Sequence, residues 1–340
     1  MRFIMQETKK PEPPVLAIDL GGTKIFAAII SNKGQIIAKE RCLTLADEGP
    51  QAVINRILSA IDHLLSQRNI NLSPLGSISI AAAGAIDFEK GLITSSPHLP
   101  GWHDVPLRDI VKGKYKVNTF LMNDADAATL GEHHFGAGQG VNNLILLTVG
   151  TGIGGGIIIN GKLYSGVSGS AGEIGHTTID VNGPRCSCGN TGCLEALVSG
   201  TAVAKEAIKR IRQGERSFLT ESVGGKIEDI TAEEVLTAAR DGDSLASEVI
   251  LKAATYLGIG LANVVNIFNP EMIIIGGGMA KMGDLLLNPA KQVVRERAYQ
   301  LSAQAVQIVP AQLGDDAGVL GAAVFAFSTR SGPGEQNEDS

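Results

Sequence analysis

The chain has 340 residues, 44% hydrophobic and 19% charged, enough apolar material for a large core divided between two domains. Its formal net charge of −6 gives no general attraction to nucleic acid or to an anionic membrane surface, so neither is expected as a partner. The N-terminus has no long apolar stretch of signal-peptide type, no apolar run reaches transmembrane length, and three of the four cysteines are clustered; a soluble cytoplasmic protein whose thiols hold metal rather than disulfides is expected.

Residues 1–14 read as a flexible tail, because Lys9-Lys10-Pro11-Glu12-Pro13-Pro14 suits neither helix nor inner strand. Val15 to Asp19 is a buried strand, Leu20-Gly21-Gly22-Thr23 a turn, and Lys24 to Ile30 a returning strand. Ser31 to Gly34 turns the chain into a third strand, Gln35 to Arg41. Asp19, at the end of the first strand, is placed either to hold a Mg²⁺–phosphate or to cap its own turn. Pro50 to Arg68 is a helix with Val53, Ile57, Ile61, Leu64 and Leu65 on one face. Gly76 to Ala83 is a short apolar strand leading into Gly84. Ser95 to Trp102 is too rich in proline and glycine for regular structure, and Trp102 there either faces a ligand or packs. Asn118 to Met122 is a strand ending at Asn123-Asp124, directly before the helix Ala125 to Phe135. Asp124 is then an N-cap or, since open α/β folds gather ligands at the carboxyl ends of strands, a functional group.

Leu144 to Val149 is a strand, followed by Gly150-Thr151-Gly152-Ile153-Gly154-Gly155-Gly156. Gly150, Gly152 and Gly155 formally match a dinucleotide fingerprint, but that motif must open a helix, and here the β-branched run Ile157 to Ile159 and the hairpin pair Asn160-Gly161 follow. The segment is a strand, a glycine turn and a returning strand, the grammar already met at Val15, and the repetition points to an internally duplicated architecture. Such a turn either wraps phosphates with its N–H groups or is a tight turn without a ligand. Gly172-Glu173-Ile-Gly-His176 follows, then Cys186-Ser-Cys188-Gly-Asn-Thr-Gly-Cys193-Leu-Glu195. One imidazole and three thiolates at this spacing form the closed tetrahedral set that structural zinc prefers, flanked by two candidate substrate carboxylates, Glu173 and Glu195.

Thr201 to Arg240 is mostly helical and polar, broken at Gly214 and Gly224-Gly225, and reads as scaffold. Ser244 to Phe268 is a long helix with a buried face. After Asn269-Pro270, the strand Met272 to Ile275 runs into Gly276-Gly277-Gly278 and a helix, where the glycines suit a nucleotide or a plain turn. Val306 to Pro310 is a last strand, Gly314-Asp315-Asp316 opens a closing helix, and residues 329–340 read as a disordered tail.

Three glycine turns, no Gly-x4-Gly-Lys-[Ser/Thr] motif and a zinc cluster beside carboxylates together resemble the sugar-kinase branch of the actin-like ATPases. More narrowly, Asp19-Leu-Gly-Gly-Thr-Lys24, Asn123-Asp124, Thr148 to Gly156, Gly172-Glu-Ile-Gly-His176, the cysteine motif and Gly276 to Gly278 are similar to the ROK family of sugar kinases, and within it to the bacterial glucokinases. The resemblance covers Val15 to about Phe327. It implies an α/β fold of two actin-like (ribonuclease H-like) domains with a central ligand cleft: a smaller domain over 15–122, onto which the closing helix at about 315–327 packs back, and a larger one over 123–314 carrying the zinc motif.

The resemblance further implies transfer of the γ-phosphoryl group of Mg-ATP to a hexose, with glucose the foremost acceptor, in a homodimer or homotetramer. Asp124 takes the place of the general base; Gly84, Asn123, Asp124, Glu173, His176 and Glu195 that of the sugar ligands; and His176, Cys186, Cys188 and Cys193 that of the structural Zn²⁺ ligands. Asp19, Gly21, Gly22, Thr23, Lys24, Gly150, Thr151, Gly152, Gly154, Gly276, Gly277 and Gly278 match the ATP site. His98, where glucokinases carry Asn, and Ala83-Gly84, where they carry Pro-Gly, depart from the pattern near the sugar and leave N-acetylmannosamine, fructose or allose as other acceptors and polyphosphate as another donor. Repressors of the family share this domain, which leaves a non-catalytic sugar sensor as the other reading, but they begin with a helix-turn-helix; with Asp19 so near the start, none is expected here.

Overall fold

Both strand–turn–strand segments grow into five-stranded sheets in the computed structural model, which describes residues 12–67 and 75–330. Arg68 and most of the two expected tails lie outside the described residues. The chain divides into two compact units, one formed by residues up to Ala127 together with those from Gly318, the other by Ala128 to Ala317.

The first unit contains β1 (Val15–Leu20), β2 (Lys24–Ile30), β3 (Ile36–Leu43), α1 (Pro50–Gln67), β4 (Ser77–Ala82), β5 (Ala85–Asp87), β6 (Leu92–Ser95), β7 (His103–Val105), α2 (Leu107–Tyr115), β8 (Thr119–Asn123) and the start of α3 (Asp124–Phe135). Its sheet has the order β3-β2-β1-β4-β8. The first three strands form an antiparallel meander, and β4 and β8 run parallel to β1. Parallel strands need a crossover connection, and α1 provides the first, burying Val53, Ile57, Ile61 and Leu64 completely. Trp102 takes the packing role: it is 1% exposed within this core. The small antiparallel sheet β5-β6-β7 left no periodic signal in the sequence because each strand has only three or four residues.

The second unit repeats the plan. It contains β9 (Leu144–Val149), β10 (Ile153–Ile159), β11 (Lys162–Leu163), α4 (Leu194–Val198), α5 (Gly200–Arg212), α6 (Leu219–Ser222), α7 (Ala232–Arg240), α8 (Ser244–Phe268), β12 (Met272–Gly276), α9 (Asp284–Arg297), α10 (Gln300–Ala305) and β13 (Gln307–Pro310). The sheet order is β11-β10-β9-β12-β13, again an antiparallel meander extended by two parallel strands. The duplication read from the glycine turns thus extends to topology and strand polarity. The chain closes with α11 (Ala317–Arg330), which runs through Thr329 and Arg330, two positions the sequence assigns to a tail. The Arg330 guanidinium explains the extension: it donates to the carbonyl of Pro13 and the hydroxyl of Ser77, anchoring the last turn beside the entry to β4.

Among the described residues α8 is long and apolar enough to cross a membrane, but 56% of its apolar window is buried inside the protein, as befits a core helix. It sits against α9 so closely that a Cβ on Gly258 would come within 2.5 Å of Val293 Cβ and 2.7 Å of the Ala290 carbonyl oxygen. Gly258→Val is therefore expected to cost about 1–3 kcal/mol through overpacking, read as a lower urea midpoint of unfolding.

Candidate active site

Sheet register decides which residues of the first unit meet. Leu20 lies beside Ala82 and Ala82 beside Asn123, so the carboxyl ends of β1, β4 and β8 form one row. The turn from Asp19 to Lys24, Gly84 and Asn123-Asp124 all issue from that row. Asn123 is the N-cap of α3: its Oδ1 accepts from the N–H groups of Ala125 and Asp126 at 2.8 and 3.2 Å, while its Nδ2 donates to the Gly84 carbonyl at 3.2 Å. The amide oxygen is thereby filled, leaving Asn123 one further N–H to offer a ligand. Because Asn123 caps the helix, Asp124 is released from that duty and keeps one short bond, from the Ala125 N–H at 2.9 Å. Gly84 has φ +120°, and a Cβ there would lie 2.4 Å from the Ser95 carbonyl oxygen, so only glycine lets this strand end approach β6.

The first glycine turn is held by a residue the sequence did not single out. Thr44, fully buried, donates its hydroxyl to the Gly21 carbonyl at 2.7 Å and its N–H to the Thr23 carbonyl at 2.9 Å. In a trans peptide C=O and N–H point oppositely, so fastening these carbonyls turns the N–H groups of Gly22 and Lys24 the other way. The Asp19 carboxylate packs over the start of α11: a Cβ on Gly318 would sit 2.7 Å from its Oδ2. Lys24 opens β2.

The second turn follows the same rule with different fasteners. The Gly150 carbonyl accepts from the Gly200 N–H at 2.8 Å and the Thr151 carbonyl from the Thr201 hydroxyl at 3.1 Å, both at the start of α5. The N–H groups of Thr151 and Gly152 consequently point away from α5. The next peptide is held at both ends, its Gly152 carbonyl by the Gly150 N–H at 2.8 Å and its Ile153 N–H by Glu195 Oε2 at 2.9 Å. Gly154 lies beyond the turn, on the ladder opposite Thr148. Gly155 serves packing: a Cβ there would meet the Gly172 carbonyl oxygen at 2.6 Å, so this pair of glycines brings the Glu173 segment against β10. Gly276 pairs with Thr148, and Gly277, at φ +81°, has no room for a side chain beside the Val149 carbonyl, 2.4 Å from its would-be Cβ. Gly276 to Gly278 therefore stand at the same sheet end as the turn.

Residues 173–195 fold into a knuckle pinned by isolated bridges between Thr178 and Cys193 and between Arg185 and Thr191. The Tyr256 hydroxyl of α8 holds it through Asp180 Oδ2 at 3.1 Å. His176, Cys186, Cys188 and Cys193 place their ligand atoms within 4.8 Å of one another. Cys186 Sγ is 3.7 Å from His176 Nδ1, and Cys188 Sγ is 3.7 Å from Cys193 Sγ. Tetrahedral zinc with Zn–S bonds of about 2.3 Å spaces its sulfurs about 3.8 Å apart, so the donor set is compatible with structural zinc, whereas a disulfide would be far shorter. With Nδ1 facing the thiols, the Nε2 of His176 lies 3.8 Å from Glu173 Oε2. Glu195 Oε1 accepts from the Ser187 hydroxyl at 3.2 Å, joining the knuckle to the second glycine turn.

Another contributor missed in the sequence is Glu132, fully buried on α3. Its carboxylate accepts from the N–H groups of Ala137, Gln312 and Leu313 at 2.7 to 2.9 Å, fastening the helix to the loop before α11. A charged residue on an otherwise apolar helix face was the available signal.

Desolvation pushes the Asp124 carboxyl above the ordinary aspartate range, opposed by the Ala125 N–H and by the charge of His98. A carboxyl raised in the folded state binds its proton more tightly than in the unfolded chain. It lends stability at low pH that is lost as pH rises from the ordinary value through the raised one. Asp124→Asn should accordingly melt no lower than the parent at pH 7, and His98→Asn should move the Asp124 titration further up, as read by carboxyl ¹³C NMR.

The ROK family model matches residues 15–328. The glucokinase of Halalkalibacterium halodurans is 40% identical over 90% of this chain and 92% of its own length. The xylose repressor of Caldicellulosiruptor bescii is 35% identical over 96% of this chain and 81% of its own. Among solved structures, a ROK family glucokinase from Streptomyces griseus, in complex with glucose and AMPPNP, superposes with a TM-score of 0.80 at 32% identity, covering 93% of this chain and 99% of that one. The match runs from the first strand into the closing helix and takes in both units: the chain belongs to the ROK family, with its two-domain actin-like fold.

Proposed function

We propose that the chain is an ATP-dependent hexose kinase that converts glucose to glucose 6-phosphate, with Asp124 as general base. The observation that carries this reading is the division of labour at the start of α3. Asn123 caps the helix, so the neighbouring carboxylate, desolvated and raised in pKa, is available to take a proton.

Phosphoryl transfer through a loose transition state asks the protein chiefly to position its reactants and to stabilise charge. The N–H groups of Gly22, Thr151 and Gly152, turned outward by the fastening of their carbonyls, are suited to phosphate oxygens. Asp19 is suited to the Mg²⁺ that enters with ATP, Lys24 to the phosphates, and Gly276 to Gly278 to the adenosine. Asn123, Glu173, His176 and Glu195 hydrogen-bond the polyol, so that an epimer leaves a polar group of the site unpaired, which is costly. Asp124 accepts the hydroxyl proton as that oxygen attacks.

Zinc would be held by His176, Cys186, Cys188 and Cys193. It would supply no chemistry to the transfer, only a brace for the segment that carries Glu173 and Glu195. A cytoplasmic location accords with four free cysteines. A homodimer or homotetramer accords with exposed Tyr299, at the N-cap of α10, Leu301 on α10 and Ile267 on the adjoining α8. The repressor relative supports a second reading, a sugar sensor without turnover.

Formation of the sugar phosphate across a panel of glucose, mannose, fructose, allose and N-acetylmannosamine, with ATP or polyphosphate as donor, tests the proposal; turnover greatest on another hexose changes the acceptor, and none at all favours the sensor. Asp124→Asn should lower kcat on the order of 10²–10⁴-fold with much less change in sugar affinity. Loss confined to affinity would make Asp124 a ligand only. One zinc per chain is expected by metal analysis, and Gly192→Ala should abolish it: its φ is +69° and the new Cβ would fall 1.6 Å from the Asp180 carbonyl oxygen. Full activity in protein stripped of zinc would refute the brace.

A further inference from the structure

We infer that Glu195 couples the sugar to the nucleotide: a hexose hydroxyl engaging its carboxylate tightens the second glycine turn, so each substrate raises the affinity for the other. The inference rests on the kinase reading and adds a role to one of its sugar ligands.

The argument is an account of hydrogen bonds. Of the three peptides that make the turn, two are fixed through their carbonyls by α5. The third, between Gly152 and Ile153, is fixed at its carbonyl by the turn's own Gly150 N–H, and at its N–H by Glu195 Oε2. That last bond is a side-chain anchor reaching the turn from outside its own strand pair. Ile153 is 3% exposed, so without the carboxylate its N–H would be left in the core with little access to water.

Glu195 itself is only partly buried and belongs to α4, a single short helix opening directly after Cys193. Its other oxygen is held by the hydroxyl of Ser187, an exposed donor. Cys186 Sγ lies 3.8 Å from the same oxygen, and a partly buried carboxylate with one oxygen on the turn and the other on these two groups retains lone pairs for a polyol hydroxyl. Binding there restricts the side chain in the geometry that already holds Ile153. The ordering cost of the turn is then met before the nucleotide arrives, and thermodynamic reciprocity gives the sugar the same gain from the nucleotide.

Calorimetry of AMPPNP with Mg²⁺, in the presence and absence of saturating glucose, reads the coupling directly. In the parent, glucose should tighten AMPPNP by about 5- to 50-fold. Ile153→Pro deletes the N–H at the first residue of a strand, where proline is tolerated, and leaves the carboxylate in place. It should bring the ratio within about 2-fold of unity, while glucose alone binds within a few-fold of the parent. Glu195→Gln keeps an acceptor for Ile153 and should preserve the ratio at whatever glucose concentration then saturates. As a measurement on the unaltered protein, glucose without nucleotide should slow hydrogen exchange of the Ile153 amide several-fold. The inference is overturned by a parent that phosphorylates glucose with no such coupling, by parental coupling in folded Ile153→Pro, or by an Ile153 amide indifferent to glucose. A chain that binds no hexose overturns the kinase reading along with it.

Discussion

The opposition of C=O and N–H across a planar peptide governs both glycine turns. A turn that is to present N–H groups to an anion must dispose of the matching carbonyls, and a buried carbonyl without a donor is expensive. The first turn disposes of them on Thr44, through both its hydroxyl and its N–H. The second uses the N-terminus of α5, where helix N–H groups lack intrahelical partners in any case. Two glycine turns at corresponding places in two sheets of the same order are therefore stabilised by unrelated residues. The duplication is kept by the strands and lost in the supports.

Around this arrangement the glycines divide into classes that composition does not separate. Gly150 and Gly152 close the turn through the N–H of the one and the carbonyl of the other; Gly155 and Gly172 exist for each other, allowing the segment that bears Glu173 to lie on β10; Gly192 lets the knuckle close over Asp180. The knuckle is thus tied to the second sheet by glycine contacts and by Glu195, and to α8 by Tyr256. It can brace two carboxylates and an imidazole without contributing a strand to the sheet.

Much of the site was legible because its chemistry is local. His176 and the three cysteines lie within eighteen positions of one another in sequence, and that spacing alone proposed a metal set. Asn123-Asp124 at a strand-to-helix junction was legible as a cap or a functional pair. Which residue does which was not, because an N-cap is defined by where a side-chain oxygen reaches relative to the first turn's N–H groups, and neighbouring Asn and Asp compete on equal terms. The same limit hid Thr44, Glu132, Ser187, Gly200 and Thr201, whose partners are between 5 and 181 positions away.

The sequence by itself determined the paired strand–turn–strand segments, the long core helix, the cysteine cluster and the absence of a helix after Gly155, since each is a matter of residue type and short-range period. Only the tertiary structure decided that Gly154 joins the ladder rather than the turn, that Trp102 packs, that α11 continues to Arg330, and that Glu195 reaches Ile153. Those outcomes depend on strand register and on which carbonyl lies opposite which donor, and register is fixed by the packing of whole sheets rather than by any run of neighbouring residues.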